Sequence, residues 1–238
     1  MASKDFTLDD GLSVTVYKRR GNRYLRLSVT PTGRVRVSIP AWGSYRAGLE
    51  FVRSRRTWIQ DQMAAPTLLR HGQAVGKAHH LNFVPKVSAT SVNSRLAQTI
   101  ITVNHPADRD FTDHKVQTTA RQACIRALRR QAEQLLPQRL ADLADKHGFA
   151  YQGVRIKHLK SRWGSCDQEG NIVLNLYLMQ LPWELIDYVL LHELTHTRIL
   201  RHGPDFWKAM DTVLPDTSAR KRSLRNHRPA LTVADIAV

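Results

Sequence analysis

Residues 192–202 read HELTHTRILRH, and this stretch decides what kind of domain the chain can form. The apolar residues around it, in LPWELIDYVLLHELTHTRIL, recur with the period of an amphipathic helix. They predict a helix over 182–200 that Pro182 can begin. On such a helix His192 and His196 project from the same face, one turn apart. Two imidazoles at that separation can both reach one zinc ion at about 2.0–2.1 Å.

An acid and a third histidine extend the pattern. Glu193 lies in the same turn and can reach a metal-bound water without being a ligand, as in the H-E-x-x-H pattern of zinc peptidases. His202 precedes the helix-breaking GP at 203–204, so it can fold back as a third ligand, and the fourth position then stays open as in catalytic zinc sites. The alternative is ordinary core histidines beside a surface acid. It is disfavoured because burying two histidines and an acid in one turn of a helix that faces the core is costly without a purpose.

The other patterns predict an α+β fold in two regions, 1–105 and 106–238. In the first, which is antiparallel and β-rich, alternation over 12–39 predicts a meander with a turn at PTG (31–33). A change of period over 44–64 predicts a helix with RSRR on its outer side. Strand-like pieces follow at 81–88 and 99–104.

The second region begins with a long helical segment and carries the histidine helix. The segment over 109–147 contains Pro137, which predicts a break or kink, and Gly148 marks its end. A strand is predicted at 153–158, and DQEG at 167–170 is the turn of a hairpin over 160–177. After the histidine helix, Pro204 suits the first turn of another helix.

Positive charge is concentrated in the N-terminal part of the chain. The formal net charge is +16, of which residues 1–150 contribute 24 Lys/Arg against 11 Asp/Glu, and residues 151–238 contribute 12 against 9. Such a surface attracts polyanions, including nucleic acid, anionic membrane or an acidic protein, although it can also be simply solvated. The strand period places Arg26, Arg34 and Arg36 on one face of the predicted sheet. Tyr17 is available there for stacking on a base.

The sequence also predicts a cytoplasmic protein without a membrane span. The N-terminus MASKDFTLDDG has no apolar run, and no later stretch approaches a span. Only Cys124 and Cys166 are present, which favours free thiols in a reducing compartment. Cys166 could act as a fourth zinc ligand that silences the site, but a small buried residue is the simpler interpretation.

Several longer blocks carry a resemblance to one family. They are SRWGSC at 161–166, NIVLNL at 171–176, YVLLHELTHTRILRHGPDFW at 188–207, and RYLRLSV, GRVRVSIP and FVRSRRTWI nearer the N-terminus. The sequence resembles the YgjP-like metallopeptidases, which are zincins distantly related to the SprT/Spartan and WLM-type proteases. The resemblance implies a zincin-like domain over 106–238. It implies that Zn²⁺ is held by His192, His196 and His202 and that Glu193 is the catalytic acid/base. Metzincins place Gly where this chain has Ile199, so the path to His202 turns differently.

These features predict a zinc-dependent metallopeptidase acting on a protein or peptide, which the basic N-terminal region recruits to nucleic acid or an acidic partner. The arm NIVLNLYL is a candidate sheet edge for binding the substrate. Three residues are candidates for stabilising the oxyanion: Arg162, Tyr177 and Tyr188. The alternative is a nucleic-acid-binding protein with a structural zinc site, for which Glu193 would have no use.

Overall fold

The computed structural model of the chain describes residues 3–29, 34–63, 68–227 and 231. Within them the fold is α+β, as predicted, with three small sheets and six α-helices. The chain divides into two compact units, residues 1–67 and 68–238. The boundary predicted from the sequence, between 105 and 106, therefore differs from the structural division.

The first unit contains a four-stranded sheet in the order β1-β2-β4-β3. Its strands are β1 (Ser3–Thr7), β2 (Ser13–Arg19), β3 (Arg26–Val29) and β4 (Val35–Pro40). The antiparallel meander predicted over 12–39 is wrong in one respect, because β2 and β4 are parallel neighbours and β3 pairs with the far side of β4. The alternation of aliphatic residues fixes which face is buried, but not the order of the strands. The predicted turn at 31–33 lies outside the described residues.

Two helices cover this sheet where the sequence predicts one. Helix α1 (Tyr45–Ser54) is capped by Ser44, whose hydroxyl accepts from the amide of Ala47 at 3.1 Å. Helix α2 (Arg56–Met63) follows after Arg55, whose backbone (φ −112°, ψ 24°) interrupts the helix. The core of the unit consists of buried aliphatic residues: Leu8, Val14, Val16, Val35, Val37, Ile39, Val52 and Ile59.

The second unit begins with another four-stranded sheet, in the order β5-β6-β8-β7. Its strands are β5 (Gln73–Val75), β6 (His79–Lys86), β7 (Asn93–Leu96) and β8 (Ile100–Pro106). The parallel pair β6 and β8 lies between two antiparallel edges, so this sheet repeats the topology of the first. Aliphatic residues of the sheet share one core with the long helix that follows. That shared core is why this sheet belongs to the second unit.

The long helix, α3 (His114–His147), is continuous for 34 residues and contains Pro137, so the proline does not end it. It begins later than predicted because Asp113 is the N-cap and accepts from the amides of Lys115 and Val116. It ends as predicted at Gly148, which has the left-handed backbone (φ 68°) that glycine adopts easily.

A three-stranded sheet and three helices complete the second unit. The strands, β9 (Gly153–Lys157), β10 (Gly164–Cys166) and β11 (Asn171–Asn175), lie in the order β10-β11-β9. Strands β10 and β11 form the predicted hairpin, but β11 is central, so the proposed substrate edge at NIVLNLYL is wrong. A 3₁₀ helix (Leu176–Gln180) leads to the helices α4 (Trp183–His196), α5 (Pro204–Val213) and α6 (Thr217–Leu224).

Candidate metal centre

The last turn of α4 carries His196 into a buried position and His192 into a half-buried one. Helix α4 is apolar on most sides, with Ile186, Leu190 and Leu194 fully buried in the core of the second unit. His196 is only 8% exposed. The helix ends at His196 and not at 200 as predicted, and the hydroxyl of Thr197 donates to the carbonyl of Leu194 at this end.

The turn after α4 returns His202 to the histidine pair. The amide of Gly203 donates to the carbonyl of Arg201 at 2.8 Å, and Pro204 then begins α5. The Nε2 atom of His202 lies 3.0 Å from the Nε2 atoms of both His192 and His196. Two nitrogens bound tetrahedrally to one zinc ion are about 3.3 Å apart, given the usual zinc–nitrogen distance. The three imidazoles thus converge as ligands of one ion would.

A backbone hydrogen bond fixes the orientation of one imidazole. The Nδ1 atom of His196 lies 3.0 Å from the carbonyl oxygen of Ile199. A carbonyl can only accept, so Nδ1 carries the proton and the lone pair of a neutral ring is on Nε2, which faces the other two histidines. Metal-binding histidines commonly have such a partner on the second ring nitrogen.

Two aromatic residues of α5, Phe206 and Trp207, pack against the imidazoles. The ring of Phe206, which is fully buried, has its centroid 4.5–4.9 Å from those of all three histidines. Trp207 stacks on His202 at 5.8 Å, and the ammonium of Lys221 lies 3.7 Å from the centre of the Trp207 ring. These contacts hold the imidazoles in place through packing.

The surroundings keep the buried imidazoles neutral. Burial, followed by the charges of His196, His202 and Lys221, lowers the pKa of His192 to about 3. Burial also lowers the pKa of His196, with a smaller contribution from His202 in the same direction. Neutral imidazoles are the protonation state that can bind a metal ion.

Glu193 points away from solvent beside this cluster. It is 5% exposed, and burial raises its pKa to about 8, an effect that the positive charge of Arg162 partly offsets. Its Oε2 atom is buried and has no hydrogen-bond partner among the described residues. A buried carboxylate oxygen without a partner is costly in a fold unless a ligand or solvent molecule uses it.

Two residues that the sequence analysis did not single out shape this site. A Cβ atom at Gly164 would lie 2.7–2.9 Å from three side-chain atoms of Glu193, so only glycine leaves room for the carboxylate. Asn175 is fully buried, and its Nδ2 atom donates to the carbonyls of Leu159 at 2.8 Å and Arg162 at 2.7 Å. A glycine inside a strand is a sequence signal of close approach.

The three oxyanion candidates have different positions. Arg162 is exposed, and its charge reaches Glu193. The ring of Tyr188 lies 6.0 Å from that of His192, one turn earlier on α4. Tyr177 is buried, and its hydroxyl pairs with Nε2 of His158 at 3.1 Å.

Cys166 lies near the site but not within the ligand cluster. Among the residues that the structure describes, the group able to hold a metal ion consists of the three histidines alone. Burial, followed by the negative charges of Glu193 and Asp167, raises the pKa of the Cys166 thiol to about 11. Because the Cys166 thiol is not part of the group of converging ligand atoms, the geometry does not support the silencing role.

In the first unit, the sheet face predicted to carry Arg26, Arg34 and Arg36 contains a contact between an arginine and an aromatic ring. The guanidinium of Arg36 lies 5.3 Å from the centre of the Tyr17 ring, and Arg26 is exposed at the neighbouring strand. The outer face therefore combines arginine with an aromatic ring, as the strand period predicts.

Comparisons with known proteins find a family model and a solved structure to which the chain is similar. The sequence model of the YgjP-like metallopeptidase domain matches residues 23–227. A solved structure, the metallopeptidase zymogen of Pyrococcus abyssi abylysin, is similar at 25% sequence identity with a TM-score of 0.35, covering 39% of this chain and 94% of that chain. No curated protein gives a significant match.

The match over residues 23–227 places this protein among the metallopeptidases, which hydrolyse peptide bonds with the help of a bound metal ion. The chain belongs to the YgjP-like family, because the match covers most of its length. Among the described residues, no helix is both long and apolar enough to cross a membrane.

Proposed function

We propose that the protein is a zinc-dependent peptidase in which His192, His196 and His202 bind the metal ion and Glu193 is the catalytic acid/base. The observation that carries this proposal is the convergence of three Nε2 atoms, two pairs of them 3.0 Å apart, beside a buried carboxylate. Three protein ligands with an open fourth position are typical of catalytic zinc sites, whereas structural sites use four.

The donor set favours zinc among the common metal ions. Neutral imidazole nitrogens suit zinc and other transition metals, whereas magnesium and calcium prefer oxygen ligands. The hydrogen bond from His196 to Ile199 and the packing of Phe206 against all three imidazoles hold the rings in orientation. The site therefore fits a small tetrahedral ion with little rearrangement of the chain.

The chain's own groups then supply proton transfer. When bound, a zinc ion polarises the scissile carbonyl and lowers the pKa of a water molecule towards neutrality. Glu193 accepts the proton of the attacking water at its carboxylate and passes it to the nitrogen of the leaving amine. Burial favours this role, because a raised pKa brings the carboxylate closer to the operating pH. Arg162 and Tyr188 remain candidates for stabilising the developing oxyanion.

The edge of β10 is the proposed binding strand for the substrate. Among the described strands β10 pairs with β11 alone, so its other edge can add an extended peptide through backbone hydrogen bonds. Gly164 of this strand is in contact distance of Glu193, which would bring a bound peptide next to the carboxylate. Backbone pairing gives affinity with little sequence preference, so we expect unfolded or extended segments as substrates.

We also propose a location and a partner. Cys124 and Cys166 are both free thiols, which supports a reducing compartment such as the cytoplasm. Residues 1–67 contain 12 Lys and Arg against 5 Asp and Glu, and this excess supports recruitment to nucleic acid through the first unit.

The proposed chemistry is tested by metal removal combined with one substitution. Dipicolinate treatment should abolish hydrolysis of a fluorogenic peptide or unfolded casein, and about one equivalent of zinc should restore it. Glu193→Gln should bind zinc as wild type does, yet lose about 10²- to 10⁴-fold in kcat. Circular dichroism controls for folding. If the zinc site is structural, chelation should reduce the helix content, and neither wild type nor Glu193→Gln should hydrolyse the peptide.

A further inference from the structure

Two loops of the first unit lie at the same end of its sheet. In the parallel pair Arg19 of β2 is opposite Pro40 of β4, and in the antiparallel pair Arg26 of β3 is opposite Ser38. The loop over 20–25 and the turn over 40–43 therefore both project from this end. Both are anchored, since Asn22 Nδ2 donates to the hydroxyl of Ser38 at 3.0 Å and the amide of Gly43 donates to the carbonyl of Pro40 at 3.0 Å.

Each of these two loops presents an aromatic side chain to solvent. Tyr24 is 75% exposed and Trp42 is 83% exposed. In the described part of the first unit they are the only large hydrophobic residues with such exposure. Tyr and Trp are enriched at binding interfaces relative to the rest of a protein surface.

Three arginines lie at the same end of the sheet as these two loops. Arg19 is exposed at the end of β2, and Arg20 and Arg23 are exposed on the loop that carries Tyr24. No Asp or Glu occurs between Asp10 and Glu50 in the sequence, so no acid of these loops neutralises them. Arginine binds phosphate in a bidentate manner and stacks on flat rings, which lysine does not. We call Arg19, Arg20, Arg23, Tyr24 and Trp42 the loop-end surface.

We propose that the loop-end surface binds single-stranded nucleic acid, with phosphates on the arginines and bases stacked on Tyr24 and Trp42. This inference deepens the proposed recruitment and rests on it, but it does not depend on the peptidase chemistry. Single strands are favoured over duplexes because stacking on a side chain needs an exposed base face. An anionic membrane is disfavoured because no large aliphatic side chain is exposed in the described part of this unit to enter the acyl region.

The test uses the full-length protein and fluorescence anisotropy. A fluorescein-labelled oligothymidine of about 12 nucleotides matches the usual site size of such surfaces. A labelled duplex and phosphatidylserine vesicles are the comparison ligands. Tyr24→Ala/Trp42→Ala removes the rings, and Arg20→Ser/Arg23→Ser removes two charges.

A matched control removes the same charge from the opposite end of the unit. Arg53 pairs with Asp9 at 3.8 Å, in the loop before β2, and Arg55 follows at the C-terminal end of α1. Arg53→Ser/Arg55→Ser therefore loses two positive charges as well, but at a distance from the loop-end surface.

The expected results separate the partners. Wild type should prefer the single strand to the duplex, and the aromatic double variant should bind it at least about tenfold more weakly. Arg20→Ser/Arg23→Ser should also reduce the slope of log affinity against log salt by about 1.4, whereas the control should change affinity less than about threefold.

Four results would overturn the inference. Unchanged binding by Tyr24→Ala/Trp42→Ala would show that the rings take no part. Equal weakening by both arginine pairs would show unspecific charge attraction only. Binding to vesicles without binding to the oligonucleotide would identify a membrane as the partner, and binding to no ligand would refute the recruitment too. Peptide hydrolysis, measured on the same samples, reports separately on the proposed peptidase.

Discussion

The metal centre and the loop-end surface both gather chemically active side chains, but they do so in opposite ways. In the metal centre three imidazoles converge beside the buried carboxylate of Glu193. At the loop-end surface, aromatic and cationic side chains are exposed at one end of a sheet. Burial commits residues to one geometry, whereas exposure leaves each contact independent. Substitutions should therefore act steeply at the metal centre and gradually on the first unit.

Among substitutions outside the proposed ligands and Glu193, the largest effect is expected from a single methyl group beside Glu193. In Gly164→Ala the new Cβ would lie 2.7–2.9 Å from the Glu193 side chain, so the carboxylate must move. A displacement on the order of 1 Å can cost about 10²-fold in rate. We expect that loss in kcat for peptide hydrolysis, with zinc content unchanged.

The control for this substitution lies in the same sheet. At Gly153 a Cβ atom would meet only the Asn171 side chain, at 3.9 Å, which is an ordinary contact. Gly153→Ala should keep activity within about twofold, as substitutions away from special features usually do. Equal activity in Gly164→Ala and Gly153→Ala would contradict the close approach of β10 to Glu193.

An intermediate effect is expected from the buried amide of Asn175. Asn175→Ala removes the donor for two loop carbonyls, those of Leu159 and Arg162, and should lower the free energy of unfolding by about 1–3 kcal/mol. Because the loop leads into β10, kcat should fall as well. Urea unfolding followed by circular dichroism measures the first effect and the peptide assay the second.

Asn104→Ala is the matched control for this amide. Asn104 donates to Asn93 in an exposed position of the other sheet of the second unit, so its loss should change stability by no more than about 0.5 kcal/mol. If Asn175→Ala is as stable and as active as Asn104→Ala, the proposed support of the loop is wrong.

The smallest effect is expected on the outer face of the first sheet. The guanidinium of Arg36 already lies over the ring of Tyr17, so a ligand gains little from either residue. Arg36→Ser should weaken oligonucleotide binding less than about threefold, close to the loss of one phosphate contact. A tenfold loss in anisotropy titrations would move the binding surface from the loops to this face.

The sequence predicted features that depend on local spacing. The histidine pair, the hairpin over 160–177 and the end of α3 at Gly148 are all encoded within a few residues, and the structure contains each of them. The GP at 203–204 correctly indicated a turn that brings His202 back, and the three imidazoles lie together. Their role as ligands stays a proposal.

Features that depend on long-range packing were not predictable in this way. The parallel pairing of β2 and β4 and the repeated sheet topology depend on which strands meet across the chain. The approach of Gly164 to Glu193 joins residues far apart in sequence, and the division after residue 67 follows from a core shared with α3. Strand periodicity reports burial, but it carries no information about strand neighbours.

The central claim is that three histidines bind one metal ion, and metal content tests it most directly. Plasma mass spectrometry on wild type, His196→Ala and His202→Ala should find about one zinc per chain in wild type and almost none in either variant, since a site reduced to two ligands binds weakly. Because His202 is exposed, its variant should stay folded, so metal loss there cannot be attributed to unfolding. Zinc retained in His202→Ala, or no metal in wild type after reconstitution with zinc, would contradict the account.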